Sequence, residues 1–470
     1  MISAALLRPR VLIAALIALK ALGLLLDSTV RIYLGDSAAY LYGALDDGRL
    51  PDDRSFTYSF LIRALAGPFE DVRALLVWQT IAGVAVAALL WLVLTRLFAT
   101  PRGVAAIAAL LLAVDPGQLY YERMVLAETF GLFWFVLFYA SAARYLGSGR
   151  SAWLIAAALL SLLAITFRLN YLPVVLVISV ALPLIRHVSK RGMLWRITVV
   201  HVAISIASVV ASHGLFQYWV SMIFSSPPGY IARAGFMQLG LVAPLVRPEH
   251  FERVGLPRDF AEHLQYRLDE PDNRMLHMWR AGGLTREIQR QGLKIEPVAR
   301  ELSGMALADD PLGLVRMGLA TVENYFTPEG IRHALDNDLG RRQIPYDVLW
   351  SLREHWNYDA VGLPTSVTIV SRYFEVGTWW LVACLFLLLP LSVITIAVYW
   401  RTPLRSQALL AGLIGIGLVL AHVLFVAVAF YRYLHPLPFF VLLHAAVLWP
   451  VRNSPEAIGK GTRSATRSHS

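Results

Sequence analysis

The sequence predicts an all-α, polytopic membrane protein, and three observations predict it. Of its 470 residues, 57% are hydrophobic and only 16% are charged, against roughly 45–50% and about 25% in soluble globular chains. The apolar excess is gathered in long runs, such as 11–26, 81–94 and 381–400. Basic residues, in turn, cluster in alternate loops between those runs. This combination excludes an ordinary soluble enzyme, a disordered chain and a coiled coil. The single cysteine, Cys384, excludes an intramolecular disulfide.

A membrane helix needs about 20 apolar residues. By that ruler about ten spans follow, near 11–26, 74–95, 103–115, 124–145, 152–166, 171–186, 195–224, 374–400, 406–428 and 434–450. The third, fifth and sixth are short. The first resembles a signal peptide, with Arg8 and Arg10 before an apolar core. No small-x-small cleavage site follows Leu26, so it counts as a span.

Orientation follows from basic residues in short loops. With the N-terminus inside, the inner segments hold Arg8, Arg10, Arg96, Arg102, Arg144, Arg150, Arg186, Lys190, Arg191, Arg196, Arg401, Arg405, Arg452, Lys460, Arg463 and Arg467. That is 16 basic residues against one acid, Glu456. The short outer loops hold Arg123, Arg168 and Arg432. Both termini are therefore expected inside. The net charge of +10 reads as membrane orientation, with the lipid bilayer and not nucleic acid as the partner.

The domain plan has four parts. Residues 1–224 form an N-terminal membrane module whose first outer loop, 27–73, is polar and aromatic, with 61–66 lying along the membrane surface. Residues 225–372 form an extracytoplasmic domain with 17 Lys+Arg and 19 Asp+Glu in 148 positions, the charge density of a soluble domain. It opens at the turn Ser225-Ser226-Pro227-Pro228-Gly229. Helical patches at 260–268, 284–293 and 312–326 alternate with prolines, and the last is placed to return to the membrane. Residues 373–452 carry the last spans, and 453–470 form a polar inner tail.

The sequence lacks GxxxxGK[ST], HExxH and GxSxG, and has no GxGxxG at a strand–helix junction. What remains is a set of ionisable residues at the outer ends of helices, where such groups are costly and functional by default. Asp36 follows the first span. Glu122, Arg123 and Glu128 stand near the start of the fourth, Arg168 ends the fifth and Arg432 ends the ninth. Each also has a plain structural role available. Asp36 suits a helix N-cap, and Arg123 and Arg432 suit interfacial anchors. Glu128, one turn into an apolar helix, has no capping role and needs a partner or a site. His422 and His435 read as packed side chains, the five His of 225–372 as solvated, and Asp46-Asp47 and Asp52-Asp53 as turn residues.

Two carboxylates and three guanidinium groups on one membrane face suggest specific chemistry. A carboxylate can take a proton from an acceptor hydroxyl, and Arg forks match phosphate oxygens. A lipid phosphate lies at that depth, and leaves as an anion that needs positive charge and no general acid.

In these residues the chain resembles the GT-C superfamily of membrane glycosyltransferases. That group includes the protein O-mannosyltransferases and the bacterial enzyme that adds aminoarabinose to lipid A. The resemblance rests on the span layout and the large outer domain. It also rests on Asp36 in the first outer loop, Glu128 in Val125-Leu126-Ala127-Glu128, Arg168, and the late Arg432-Tyr433-x-x-Pro436. It implies an inverting transferase on the outer face of a bacterial cytoplasmic membrane, taking sugar from a polyprenyl-phosphate donor to an extracytoplasmic hydroxyl acceptor.

In that scheme Asp36 is the base, its pKa raised by burial and by Glu128. Arg168, Arg432 and Arg123 hold the phosphate, and Tyr40, Tyr58, Glu122 and Tyr433 contact substrate. Many relatives carry two adjacent acids in the first loop. Here Ser37 follows Asp36, so neither a metal nor another cofactor is expected. Two other readings stay open. One is a ligase or polymerase using polyprenyl-diphosphate glycans, which would rely on Arg and His of the large loop. The other is a lipid or solute transporter, which would show inverted repeats and broken helices.

Overall fold

The computed structural model describes residues 8–45, 48–190 and 193–452, with the side chains of 450–452 excepted. Asp46-Asp47, Arg191 and the tail from Asn453 fall outside the described residues. The described chain is helical throughout, and its one β-type contact is an isolated parallel bridge between Arg31 and Met124.

The first half runs α1 (Pro9–Leu26), α2 (Asp36–Ala44), α3 (Thr57–Leu65), α4 (Arg73–Leu97), α5 (Arg102–Ala113) and α6 (Pro116–Tyr121). It continues with α7 (Glu128–Ser148), α8 (Ala152–Phe167), α9 (Leu172–Ser189) and α10 (Trp195–Phe224). The outer segment holds α11 (Ala234–Val242), α12 (Pro248–Arg253), α13 (Arg274–Trp279), α14 (Leu284–Arg290), α15 (Ile295–Asp309), α16 (Gly313–Glu323), α17 (Pro328–Asp338) and α18 (Tyr346–Trp356). Then come α19 (Ile369–Tyr399), α20 (Arg405–Phe425) and α21 (Leu437–Arg452).

Local chemistry sets these ends. Asp115 caps α6 by accepting the Gln118 N–H at 3.0 Å, and Thr368 and Ser371 form a reciprocal capping box on α19. Gly149, with φ of 72°, closes α7 in the left-handed conformation.

Seven described helices are long and apolar enough to cross a membrane: α1, α4, α7, α9 with its preceding turn, α10, α19 and α20. The other three expected spans exist as shorter helices. α5 has 12 residues and α8 and α21 have 16 each, so at about 1.5 Å per residue they fall short of a ~30 Å hydrocarbon layer. Tight packing explains how α5 and α8 tolerate this, since Ala105, Ala109, Ala158 and Ala164 are fully buried against neighbours.

The segment 225–372, expected outside the membrane, is not one body around one core. Residues 239–317 gather around Phe251, Leu284, Ile288 and Leu302, in a core of their own. Tyr325, Val348, Leu352 and Trp356 instead join the core of the membrane helices. The expected patch at 260–268 is only a short 3-10 turn, Phe260–His263. Two of the five histidines expected in solvent are buried: His250 is 2.9 Å from Asp309, and His277 lies 3.2 Å from the Arg267 carbonyl.

α16 docks on the outer end of α20. A Cβ added at Gly318 would lie 1.7 Å from the Val423 carbonyl oxygen, so only glycine allows that approach. Thr321 also donates to the Val426 carbonyl at 3.3 Å.

Candidate active site

The first outer loop is fastened to the start of α7 before any site chemistry enters. Arg31 N–H donates to the Arg123 carbonyl at 2.7 Å, and Val125 N–H to the Arg31 carbonyl at 3.0 Å. Ser37, fully buried, donates to the Val125 carbonyl at 2.8 Å and accepts the Tyr33 N–H at 2.7 Å. A second carboxylate at position 37 would be buried among carbonyls, which accounts for the serine there. Gly35, with φ of 90°, turns the chain into α2, whose first residue is Asp36.

Asp36 stands between two guanidinium groups. Its Oδ1 is hydrogen-bonded to Arg54 and its Oδ2 to Arg432. Its side chain keeps 23% of its surface exposed, whereas Arg432 keeps 9%. Burial alone would raise the Asp36 carboxyl. The Arg432 and Arg54 charges outweigh that and hold it down to about 2. The raised value expected from burial and Glu128 is therefore corrected, because two positive charges bind the carboxylate directly.

Arg432 sits in the turn Tyr431–Leu434 between α20 and α21. Its guanidinium carbon lies 4.1 Å from the Tyr33 ring centre and 5.1 Å from that of Tyr433. Arg168 also lies against the Tyr433 ring, at 5.4 Å. Arg168 ends α8 and pairs with Glu128. Glu128 is the first residue of α7 and not one turn inside it, so the helix N-terminus also favours its charge. Gly131 makes room for this pair: an added Cβ would lie 2.5 Å from Arg168 Cγ.

The result is a row, Asp53–Arg54–Asp36–Arg432–Tyr433–Arg168–Glu128, with three acids matched by three bases. Tyr40 and Tyr58 stand beside it with rings 5.0 Å apart, edge on. Tyr58 is fully buried and donates to Gln79 at 2.7 Å, and Gln79 in turn donates to the Glu122 and Met124 carbonyls at 2.9 and 3.0 Å. Tyr58 thus braces the loop before α7 and offers no free hydroxyl.

Two expected members are turned into the bundle instead. Glu122 pairs with Lys20 of α1, and both are buried. Arg123 is buried with its guanidinium on the carbonyls of Asp27 and Leu119. Neither is joined to the row by a hydrogen bond or ion pair among the described residues.

Two members of the row, Arg54 and Asp53, and the neighbouring Tyr33 were not singled out by the sequence. Arg54 and Asp53 form a two-bond pair, both at 2.8 Å, so Asp53 is more than a turn residue. The available signal was a basic residue directly after two acids on the outer side. Tyr33 carried no signal apart from its nearness to Asp36.

Two openings lie next to segments that carry members of the row. A cleft of about 640 Å³ is lined by Asp52, Ser226, Arg233, Lys294, Glu296 and Arg300, next in sequence to Asp53. An apolar groove of about 550 Å³ runs over Leu162, Leu215, Phe216, Trp219 and Met222 near the C-terminal end of α10. Phe216 and Trp219 also pack on Phe56, with ring centres 6.0 and 5.3 Å away, two residues beyond Arg54. Among the described residues no group of three or more His, Cys, Asp or Glu is placed to hold a metal ion.

No family model and no curated protein matches the chain. Among solved structures it is similar to ArnT from Cupriavidus metallidurans bound to undecaprenyl phosphate. That similarity has 13% identity and a TM-score of 0.38, over 95% of this chain and 78% of that one. ArnT from the same organism in the apo state gives 14% identity and a TM-score of 0.37, over 96% and 79%.

Proposed function

We propose that the protein is an inverting membrane glycosyltransferase of the GT-C type. It works on the outer face of a bacterial cytoplasmic membrane and uses a polyprenyl-phosphate-linked sugar. The observation that carries this reading is the Asp36–Arg432–Tyr433–Arg168 row, in which a partly exposed carboxylate is bound to one of two guanidinium groups that share an aromatic ring. The apolar groove beside Phe56 suits a polyprenyl chain, and the charged cleft beside Asp52 suits a polar acceptor.

In the resting site Asp36 is a weak base, because both of its oxygens are taken by guanidinium groups. A donor phosphate settling between Arg432 and Arg168 competes with Asp36 and Glu128 for them. Each contact that moves from Asp36 to the phosphate removes a charge that holds its pKa down, so donor binding makes the carboxylate more basic. Asp36 then takes the proton from the acceptor hydroxyl as that oxygen attacks the anomeric carbon. The carbon–oxygen bond to phosphate breaks on the opposite side, and the phosphate leaves as an anion stabilised by the arginines.

The test is single-turnover reaction of the purified protein with a polyprenyl-monophosphate sugar and a hydroxyl acceptor. The expected outcome is release of polyprenyl phosphate with the sugar inverted at its anomeric carbon. Consumption of diphosphate-linked glycans alone would favour the ligase or polymerase reading. Movement of lipid without bond breakage would favour the transporter.

A further inference from the structure

Asp338 is the last residue of α17, and its side chain is fully buried. Its Oδ2 accepts the Tyr431 N–H at 2.8 Å, and its own carbonyl accepts the Tyr120 hydroxyl at 2.9 Å. The turn it holds, Tyr431–Leu434, carries Arg432 and Tyr433. The outer segment grips the same place a second time: Tyr325 donates to the Phe430 carbonyl at 3.0 Å, and the His333 ring stacks on Phe430 at 5.6 Å.

Just beyond Asp338, Gly340 has φ of 63°, and a Cβ there would lie 2.8 Å from the Ile32 carbonyl oxygen. The chain therefore runs from the arginine turn to the stretch that leads into Asp36. Several charged or titratable groups face the carboxyl from the packed elements. They are Tyr431 and Arg432 of the turn, Tyr120 and Tyr121 of α6, Tyr33 of the first outer loop, Tyr325 after α16, and Glu128 of α7. Arg432 is the one cation among them.

Resting on the transferase reading above, we infer that Asp338 is a positioning residue. Through it the outer segment fixes the turn that presents Arg432 to a donor phosphate. The function of the outer segment is thereby tied to the donor site as well as to the acceptor.

Burial pushes the Asp338 carboxyl up to about 7, against the opposing pull of Arg432 and the Tyr431 N–H. Below that value it is neutral, and Arg432 meets an incoming phosphate with only Asp36 competing. Above it the carboxylate places a like charge beside the phosphate. Affinity for the donor anion falls as pH rises through this range.

The test uses full-length protein in lipid nanodiscs, as wild type, Asp338→Ala and Asp338→Asn. Asn still accepts the Tyr431 N–H but never ionises, whereas Ala does neither. Amide hydrogen exchange in the peptide covering Tyr431, with no ligand present, should quicken about tenfold in Asp338→Ala and stay near wild type in Asp338→Asn. Undecaprenyl phosphate binding should be similar for wild type and Asp338→Asn at pH 6, and about tenfold weaker in wild type by pH 8. The probe's own ionisation cancels in that ratio. A pH-independent ratio, or unchanged exchange in Asp338→Ala, overturns the inference. If Asp338→Ala does not fold, the Asp338→Asn ratio decides. If wild type shows the exchange pattern but binds no undecaprenyl phosphate at any pH, the transferase reading falls and the hold of Asp338 on the turn stands.

Discussion

Asp36 is flanked by two guanidinium groups, and its ionisation governs what it can do at any working pH. A carboxyl held down to about 2 stays charged in the free protein throughout the range in which activity is measured. The profile of kcat/KM reports the free enzyme, so it should show no inflection near pH 4 from this residue, and a plot between pH 3.5 and 6 checks it. Asn keeps the size of Asp and caps a helix as well, but cannot take a proton. Asp36→Asn should therefore lose about 10²–10⁴-fold in turnover, while donor affinity holds or improves as a competing charge disappears. Full turnover with a lipid-linked donor would move the base to Glu128. Arg168→Ala should weaken binding of a polyprenyl phosphate by about 1.5–3 kcal/mol, the scale of one charged hydrogen bond. Arg123→Ala should leave that affinity nearly unchanged, because its guanidinium is spent on the carbonyls of Asp27 and Leu119. Equal effects of the two in a lipid-binding titration would demote Arg168.

At the scale of elements, the site depends on where helices begin and end. Glu128 opens α7, Arg168 closes α8, Asp36 opens α2, and Arg432 occupies the turn after α20. Helix termini leave backbone groups without intrahelical partners, so these are the places where the chain keeps polar groups in an otherwise apolar bundle. The α7–α8 contact carries its own test. An added methyl at Gly131 would meet Arg168 at Cγ, close to its backbone, so the side chain has to leave Glu128. Ala is also the better helix former. Gly131→Ala should thus keep helix content while lowering thermal stability, because Glu128 is left buried without its partner, and lowering donor affinity toward that of Arg168→Ala. Circular dichroism and a lipid-binding titration on the same sample separate the two effects.

Across the whole molecule, the loop charges of the sequence imply that Asp36, Arg168 and Arg432 all lie on the outer face. The native Cys384 is buried, so a single new thiol gives a clean label. Gly304 lies exposed in α15, and a Cβ there meets nothing within 4 Å. Gly304→Cys should react with a membrane-impermeant maleimide in intact cells. Labelling only after the inner face is exposed would reverse the topology and break the convergence of Asp36, Arg168 and Arg432 on a lipid phosphate from outside. The division of the outer segment into two cores bears on this face as well. The part around Phe251 and Leu302 packs on itself, whereas Tyr325, Leu352 and Trp356 are built into the membrane helices. The second part is therefore placed to bear on the site through the turn that Asp338 holds.

The sequence by itself determined the class of fold and the residues at helix ends. Apolar length and loop charge are summed over many residues, so no single contact can overturn them. Asp36, Glu128, Arg168 and Arg432 were legible for a related reason: a charge in so apolar a setting needs a partner wherever the chain goes. Which partner it finds was decided only by the tertiary structure. Arg54 reaches Asp36 across a loop and Arg432 comes from the far end of the chain. Arg123 and Glu122, placed as favourably by sequence, turn into the bundle to meet α1. The pKa of Asp36 depends on that choice, because two contacts with guanidinium groups outweigh the burial that would raise it. Asp338 was not singled out among the 19 acids of residues 225–372, since the local sequence cannot tell that the second half of this segment packs into the core of the membrane helices.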